Sequence, residues 1–375
     1  MGERALYQNV GVVGTGLIGA SLGLAIRQEK AAEKVIGYDI DHHMLTEALR
    51  CGALDFTAES ASEVAASCEL VFIAVPVRTI PRVLEEIAPS LKPATTVSDV
   101  GSVKEKIVAK AVATLPRGRF FVGGHPLTGS EQSGAEFADA QLFRDAYYVL
   151  TPTSQCEAEV YSRLHALLTS IGARVVAMEP GQHDRAVSVI SHLPHIMAMG
   201  LMNLALERAS EYPLLRLAAG GFRDMTRIAA SNPGIWLDIL MENREAIGES
   251  LEECISAMRR IEKMLAEGRE EELLAWMETA SSGRQNLAPA LKDSLADLFS
   301  LTLSVEDRPG VISDISLTVG DLGINIVDIE LVHPLESGQG LLKLSISGKD
   351  AASMAAEALR EKGYRLVMGK ALGGG

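Results

Sequence analysis

No lysine occurs between Lys110 and Lys263. A dehydrogenase that uses lysine as acid and base at the start of a helical domain is therefore a poor fit. Cysteine is sparse too. Cys51, Cys68, Cys156 and Cys254 are scattered with no Cys-x-x-Cys pair. That spacing points to a reduced, cytoplasmic protein and excludes a cysteine-based zinc ribbon. Positive charge is short: 35 Lys and Arg face 49 Asp and Glu, for a net charge of -14. This argues against nucleic acid or an anionic membrane as the main partner. An anionic ligand needs its own local cluster of Arg and His. The first ten residues carry no charged-then-apolar leader pattern. The most apolar long stretch, 187–206, contains two histidines, a proline and an asparagine. It reads as a central buried helix rather than a membrane span, kinked at Pro194.

What is present fits two or three domains: 375 residues, 47% of them hydrophobic. Short apolar runs at 10–13, 35–38, 70–75 and 96–100 alternate with helical patterns, and 147–150 and 174–176 extend the series. Strand alternating with helix predicts a parallel, doubly wound sheet over residues 1–180. From 181 to 293 the pattern is all-helical. Ile247, Leu251, Ile255, Met258, Ile261 and Leu265 recur every three or four residues. That stripe fits either intrachain core or a dimer interface. Residues 297–375 read as β-α-β-β-α-β, a ferredoxin-like module, with strands at 301–305, 324–331, 341–346 and 364–368.

The run Gly14-Thr15-Gly16-Leu17-Ile18-Gly19 follows the first strand and opens a helix. Its glycines allow a tight turn and close approach of backbone to a pyrophosphate. Asp39 ends the second strand, about 20 residues on, where a carboxylate accepts from a ribose hydroxyl and repels a 2'-phosphate. NAD is expected over NADP. His42 and His43 read as solvated.

The segment 123–131, Gly-Gly-His-Pro-Leu-Thr-Gly-Ser-Glu, places His125 among glycines, a proline and hydroxyls, a loop-like setting. An imidazole at the edge of a nicotinamide site suits coupled hydride and proton transfer. Ser102 lies at the carboxyl end of the fourth strand, as a ligand contact or a helix cap. His183, His192 and His195 form a second group. The His-x-x-His spacing lacks evident further ligands, so no metal is expected. Arg223 and Arg227 are four apart, on one helical face, and can clamp carboxylates, although Arg223 can instead pair with Asp224.

Together the motifs at 123–131, Ser191-His192-Leu193-Pro194-His195 and 220–229 (Gly-Gly-Phe-Arg-Asp-Met-Thr-Arg-Ile-Ala) resemble the prephenate dehydrogenase family. The resemblance implies that His125 takes the proton of the prephenate ring hydroxyl while hydride leaves for NAD. Ser102 would orient His125. Arg227 matches the carboxylate-binding arginine, His195 a substrate-binding histidine, and His183 a second histidine nearer cofactor or channel. Ser130 and Ser231 match pocket-lining positions, and Trp236 contributes through packing or its backbone. Carbon dioxide leaves, and aromatisation drives the step without need of a metal. The alternative is an arogenate or dual-specificity cyclohexadienyl dehydrogenase, with Glu131 and Gln132 placed where that choice could be made. A non-enzymatic amino-acid sensor is the alternative from another class. The segments Asp307-Arg308-Pro309-Gly310-Val311 and Gly323-Ile324-Asn325-Ile326 look like an ACT domain. That likeness implies a homodimer and tyrosine as inhibitor, with Asp307, Arg308, Pro309, Gly310, Asn325 and Ile326 as regulatory positions.

Overall fold

The computed structural model describes residues 5–128, 132, 134–153, 155–209, 212, 214–287, 298–306, 310–332 and 339–370. The chain divides into two compact units, Met1–Met258 and Arg259–Gly375.

In the first unit, β1 (Tyr7–Val13), α1 (Leu17–Gln28), β2 (Ala32–Tyr38), α2 (His42–Arg50), β3 (Phe56–Thr57), α3 (Ala61–Ser67), β4 (Leu70–Ile73), α4 (Ile80–Ile87), β5 (Thr96–Asp99), α5 (Glu105–Thr114), β6 (Phe120–Pro126), β7 (Tyr147–Pro152), α6 (Ala158–Ser170) and β8 (Arg174–Ala177) build an eight-stranded sheet. Its order is β3-β2-β1-β4-β5-β6-β7-β8. Alternation along each strand builds a core on both faces. Leu70 and Phe72 enter the core with Leu22, Ile26 and Leu164, whereas Val71 and Ile73 enter the other with Ile80, Leu84 and Ile87. Strands buried on both sides read as continuous apolar runs, which is why β4 and the end of β1 stand out in the sequence, whereas β5, equally buried, carries Thr96, Ser98 and Asp99. Two features depart from expectation. The short β3 carries no apolar run, and β7 pairs antiparallel with β6, His125 opposite Val149. Pairing direction leaves no mark on a strand's own residues.

Helices follow: α7 (Pro180–Val187), α8 (Leu193–Glu207), α9 (Leu214–Leu217), α10 (Gly220–Thr226), α11 (Pro233–Glu242) and α12 (Arg244–Ala266), which crosses into the second unit. Between α7 and α8 the chain widens into a five-residue π segment, Ser188–His192. Pro194 has no N–H to offer the carbonyl four residues back, and the wider turn accommodates that loss in place of the expected simple kink. The expectation of a buried central helix is corrected. Ala198 is the one buried residue of α8. Ile190 is 66% exposed and Leu206 49%. In the α12 stripe, Ile247 is buried but Met258 is 45% exposed. Apolar residues on every side of a helix do not tell whether the cover comes from the same chain.

The second unit holds α13 (Glu270–Leu287), then β9 (Leu298–Glu306), α14 (Val311–Gly320), β10 (Ile326–Val332), β11 (Gln339–Ser347), α15 (Lys349–Glu361) and β12 (Arg365–Lys370). The expected β-α-β-β-α-β order is present as an antiparallel sheet, β10-β11-β9-β12. Leu301, Leu303, Leu342 and Leu344 of the sheet pack on Ile315, Val319, Ala355 and Leu359 of the two helices. Asp307, Arg308 and Pro309 lie outside the described residues.

Candidate active site

The crevice at the carboxyl end of β1 is shaped by backbone. Gly14 has φ +94°, and a Cβ there would meet Ala74 O at 2.3 Å. Helix α1 starts behind Gly16 with no side-chain cap. Its first N–H groups and the positive end of its dipole are therefore left for a ligand. A Cβ on Gly16 would have nothing within 4 Å, so the approach is open. Asp39 is held at the rim. Its Oδ2 accepts from Thr15 N at 2.6 Å and its Oδ1 from Asp41 N at 2.9 Å. A glycine cradle, an uncapped helix start spanning Gly16, Leu17 and Ile18, and a fixed carboxylate suit a dinucleotide. His42 and His43 are exposed at the start of α2, as expected of solvated histidines.

His125 is not on a loop. It sits on β6, buried, because Gly123 and Gly124 are strand residues in a crowded layer. A Cβ on Gly124 would meet Asp99 O at 2.5 Å and Tyr148 Cε1 at 2.9 Å. Those glycines permit close backbone approach, which the sequence pattern renders as a loop. The Nδ1 of His125 lies 2.8 Å from His183 Nε2, and His183 Nδ1 lies 2.8 Å from Asp184 Oδ1. Asp184 also holds the start of α5, accepting from Lys104 N at 2.7 Å and Glu105 N at 2.9 Å. The buried Lys104 ammonium pairs with Asp99, whose Oδ1 accepts from Gly124 N at 3.1 Å. One polar network thus ties the β5–α5 connection, β6 and α7 together around a single imidazole. Burial pushes His125 well below the ordinary imidazole value. His183, Lys104 and His192 act in the same direction. It is therefore neutral at pH 7 and able to accept a proton.

His125, Ser102, Gln132, His195, Arg227, Ser231 and Trp236 line one cleft of about 590 Å³. His195 stacks on Trp236 with ring centroids 3.4 Å apart, and its Nδ1–H donates to Ser191 O at 3.2 Å. Its Nε2 lies 3.3 Å from Ser231 Oγ. Burial lowers its pKa, and the Arg227 guanidinium adds to the effect. Arg227 begins the tight turn that follows α10 rather than continuing the face that carries Arg223, and Arg223 does not line the cleft. His183 stands behind His125, buried, rather than in the cleft. Ser130 and Glu131 lie outside the described residues. Among the described residues no three His, Cys, Asp or Glu side chains converge as metal ligands.

Sequence reasoning missed Asp99, Lys104, Asp184 and Asn243 as parts of the site. Asn243 Nδ2 donates to Asp184 O at 2.9 Å and to His192 Nδ1 at 3.1 Å. Nothing local to Asn243 signals that link across 59 residues. His192 is held by this bond, and burial lowers its pKa from 6.5 to about 4. The unfolded chain therefore binds more protons than the folded one between those values. Stability is full above pH 6.5 and falls as pH drops toward 4. The thermal midpoint should decline over that interval, and less so in His192→Asn, which keeps an acceptor for Asn243 without titrating. An equal decline in the variant would contradict this assignment.

The family model described as "Prephenate dehydrogenase, nucleotide-binding domain" matches residues 22–177. The model described as "Prephenate dehydrogenase, dimerization domain" matches residues 179–279. The prephenate dehydrogenase of Bacillus subtilis (strain 168) is 36% identical, over 94% of this chain and 95% of its own length. Among solved structures, prephenate dehydrogenase from A. aeolicus, in complex with hydroxyphenyl propionate and NAD+, is 31% identical with a TM-score of 0.69. It covers 75% of this chain and 98% of that one. Synechocystis arogenate dehydrogenase is 29% identical with a TM-score of 0.66, covering 75% of this chain and all of that one (100%).

Proposed function

The chain belongs to the prephenate dehydrogenase family, and on that premise we propose that it oxidatively decarboxylates prephenate to 4-hydroxyphenylpyruvate, with NAD as cofactor, in tyrosine biosynthesis. The observation that carries this reading is a buried His125 sharing one cleft with Arg227 at the carboxyl edge of a nucleotide-binding sheet. The relative from A. aeolicus, by its description, binds NAD+ and a hydroxyphenyl compound.

Gly14, Gly16, Leu17, Ile18, Gly19 and Asp39 hold the cofactor, which when bound supplies the hydride acceptor. His125 takes the proton of the ring hydroxyl. Ser102 lines the cleft with His125 and is assigned a contact to the same hydroxyl of the bound substrate. Arg227 binds a substrate carboxylate, and His195, Ser231 and Ser130 position the rest of the molecule. Trp236 fixes the His195 ring by stacking. The carboxylate on the ring leaves as carbon dioxide, and aromatisation makes that loss favourable.

Arogenate is the second reading, favoured by the Synechocystis relative. Comparing kcat/KM for the two substrates with NAD separates them. A higher value for prephenate is expected, and a strong arogenate preference overturns the choice.

We further propose three domains, at 1–180, 181–293 and 297–375, in a cytoplasmic homodimer. The stretch Pro180–Glu207 is long and apolar enough to cross a membrane. The exposed apolar side chains of α8 and α12 are assigned instead to a second copy, in keeping with the description of the family's second domain. The C-terminal module is read as an ACT domain that binds tyrosine through Asp307, Arg308, Pro309, Gly310, Asn325 and Ile326. Its element order supports this. Deleting the chain after Leu295 should abolish allosteric inhibition by tyrosine while the protein stays dimeric. Unchanged inhibition would assign tyrosine to the active site.

A further inference from the structure

The buried chain Asp184–His183–His125 has a direction. A carboxylate only accepts hydrogen bonds. Asp184 already accepts from Lys104 N and Glu105 N, so the His183 Nδ1 that lies 2.8 Å from its Oδ1 must carry a proton. A His183 with one proton then has a bare Nε2. Two bare ring nitrogens do not sit 2.8 Å apart without repulsion, so Nδ1 of His125 carries the proton at that contact.

We propose that Asp184 and His183 are positioning residues that fix the His125 proton on Nδ1 and leave Nε2 bare for the substrate hydroxyl. The proposal rests on the reading of His125 as the base. It places the tautomer under the control of two residues outside the cleft, because an imidazole with its proton on Nε2 has no lone pair to offer there. When Nε2 receives the hydroxyl proton, the new positive charge is shared through the Nδ1–H···Nε2 contact toward the Asp184 carboxylate. No other bond changes. The remaining charged and titratable groups around the ring are Lys104, paired with Asp99, and His192, both of which oppose a second proton on His125. Asp184 is itself held by hydrogen bonds. It caps α5, and its carbonyl accepts from Asn243 Nδ2 at 2.9 Å, so the chain is anchored on both sides.

Two measurements test this. Histidine ring 15N NMR of the ligand-free full-length protein at neutral pH, assigned with His125→Asn, should show Nδ1 protonated and Nε2 bare at His125. A proton on Nε2 of His125, or two protons on His183, overturns the proposal. His183→Leu should lower kcat by about a hundredfold with little change in KM for prephenate. His183→Gln, whose amide oxygen can accept from His125 Nδ1–H, should recover at least about tenfold of that loss. A Leu variant as active as the unaltered protein, or Gln and Leu variants equally impaired, also overturns it. The NMR arm involves no substrate, so it separates failure of the tautomer assignment from failure of the prephenate reading.

Discussion

His125→Asn lowers kcat with prephenate by roughly 10²–10⁴-fold, the range expected for loss of a positioned general base. The substitution is chosen for what it keeps. An Asn side-chain amide reaches about as far as imidazole Nδ1, so its Nδ2–H can still donate to His183 Nε2, which accepts in the observed 2.8 Å contact. The buried network that includes Asp184, Lys104 and Asp99 thus retains its partners. Only the group facing the cleft is lost. Prephenate binding, measured by calorimetry in the presence of NADH, should stay within a few fold of the unaltered protein. Loss confined to kcat identifies an interaction made in the transition state. If kcat survives, His125 is not the base.

Arg227→Gln raises KM for prephenate by about 10–100-fold, corresponding to the ~1.5–3 kcal/mol of a hydrogen bond to a charged group. Arg227→Lys recovers only part of this, because an ammonium offers no planar fork to a carboxylate. The guanidinium also depresses the pKa of the neighbouring His195 imidazole. Its removal should therefore let His195 protonate at higher pH, shifting the pH dependence of KM in the same variant. Steady-state kinetics over a pH series checks both effects. Equal KM values for variant and parent would remove Arg227 from substrate binding.

How far the sequence reaches differs between elements. Parallel strands such as β4 announce themselves because a strand buried on both faces is apolar throughout, and the Gly14–Gly19 turn because glycine suits its backbone. The four strands and two helices of the C-terminal module were legible for similar reasons of period and turn chemistry. His125 was legible as a candidate but not in its setting. Glycines at 123 and 124 read as a loop, whereas they relieve crowding against Asp99, Tyr148 and Thr151 inside the sheet. Asp184 and Asn243 stayed hidden because hydrogen bonds across 59, 79 or 80 residues have no local period. The exposure of α8 was hidden for another reason. A hydrophobic pattern reports that a surface is to be covered, and not by which chain.

The measurement closest to the central claim is the stoichiometry of one reaction: unaltered protein, NAD and prephenate, with NADH followed by absorbance and 4-hydroxyphenylpyruvate by chromatography. The account predicts that both form together, one for one, at a rate that His125→Asn nearly abolishes. Hydroxyphenylpyruvate without NADH, or neither product with prephenate or arogenate, would contradict it.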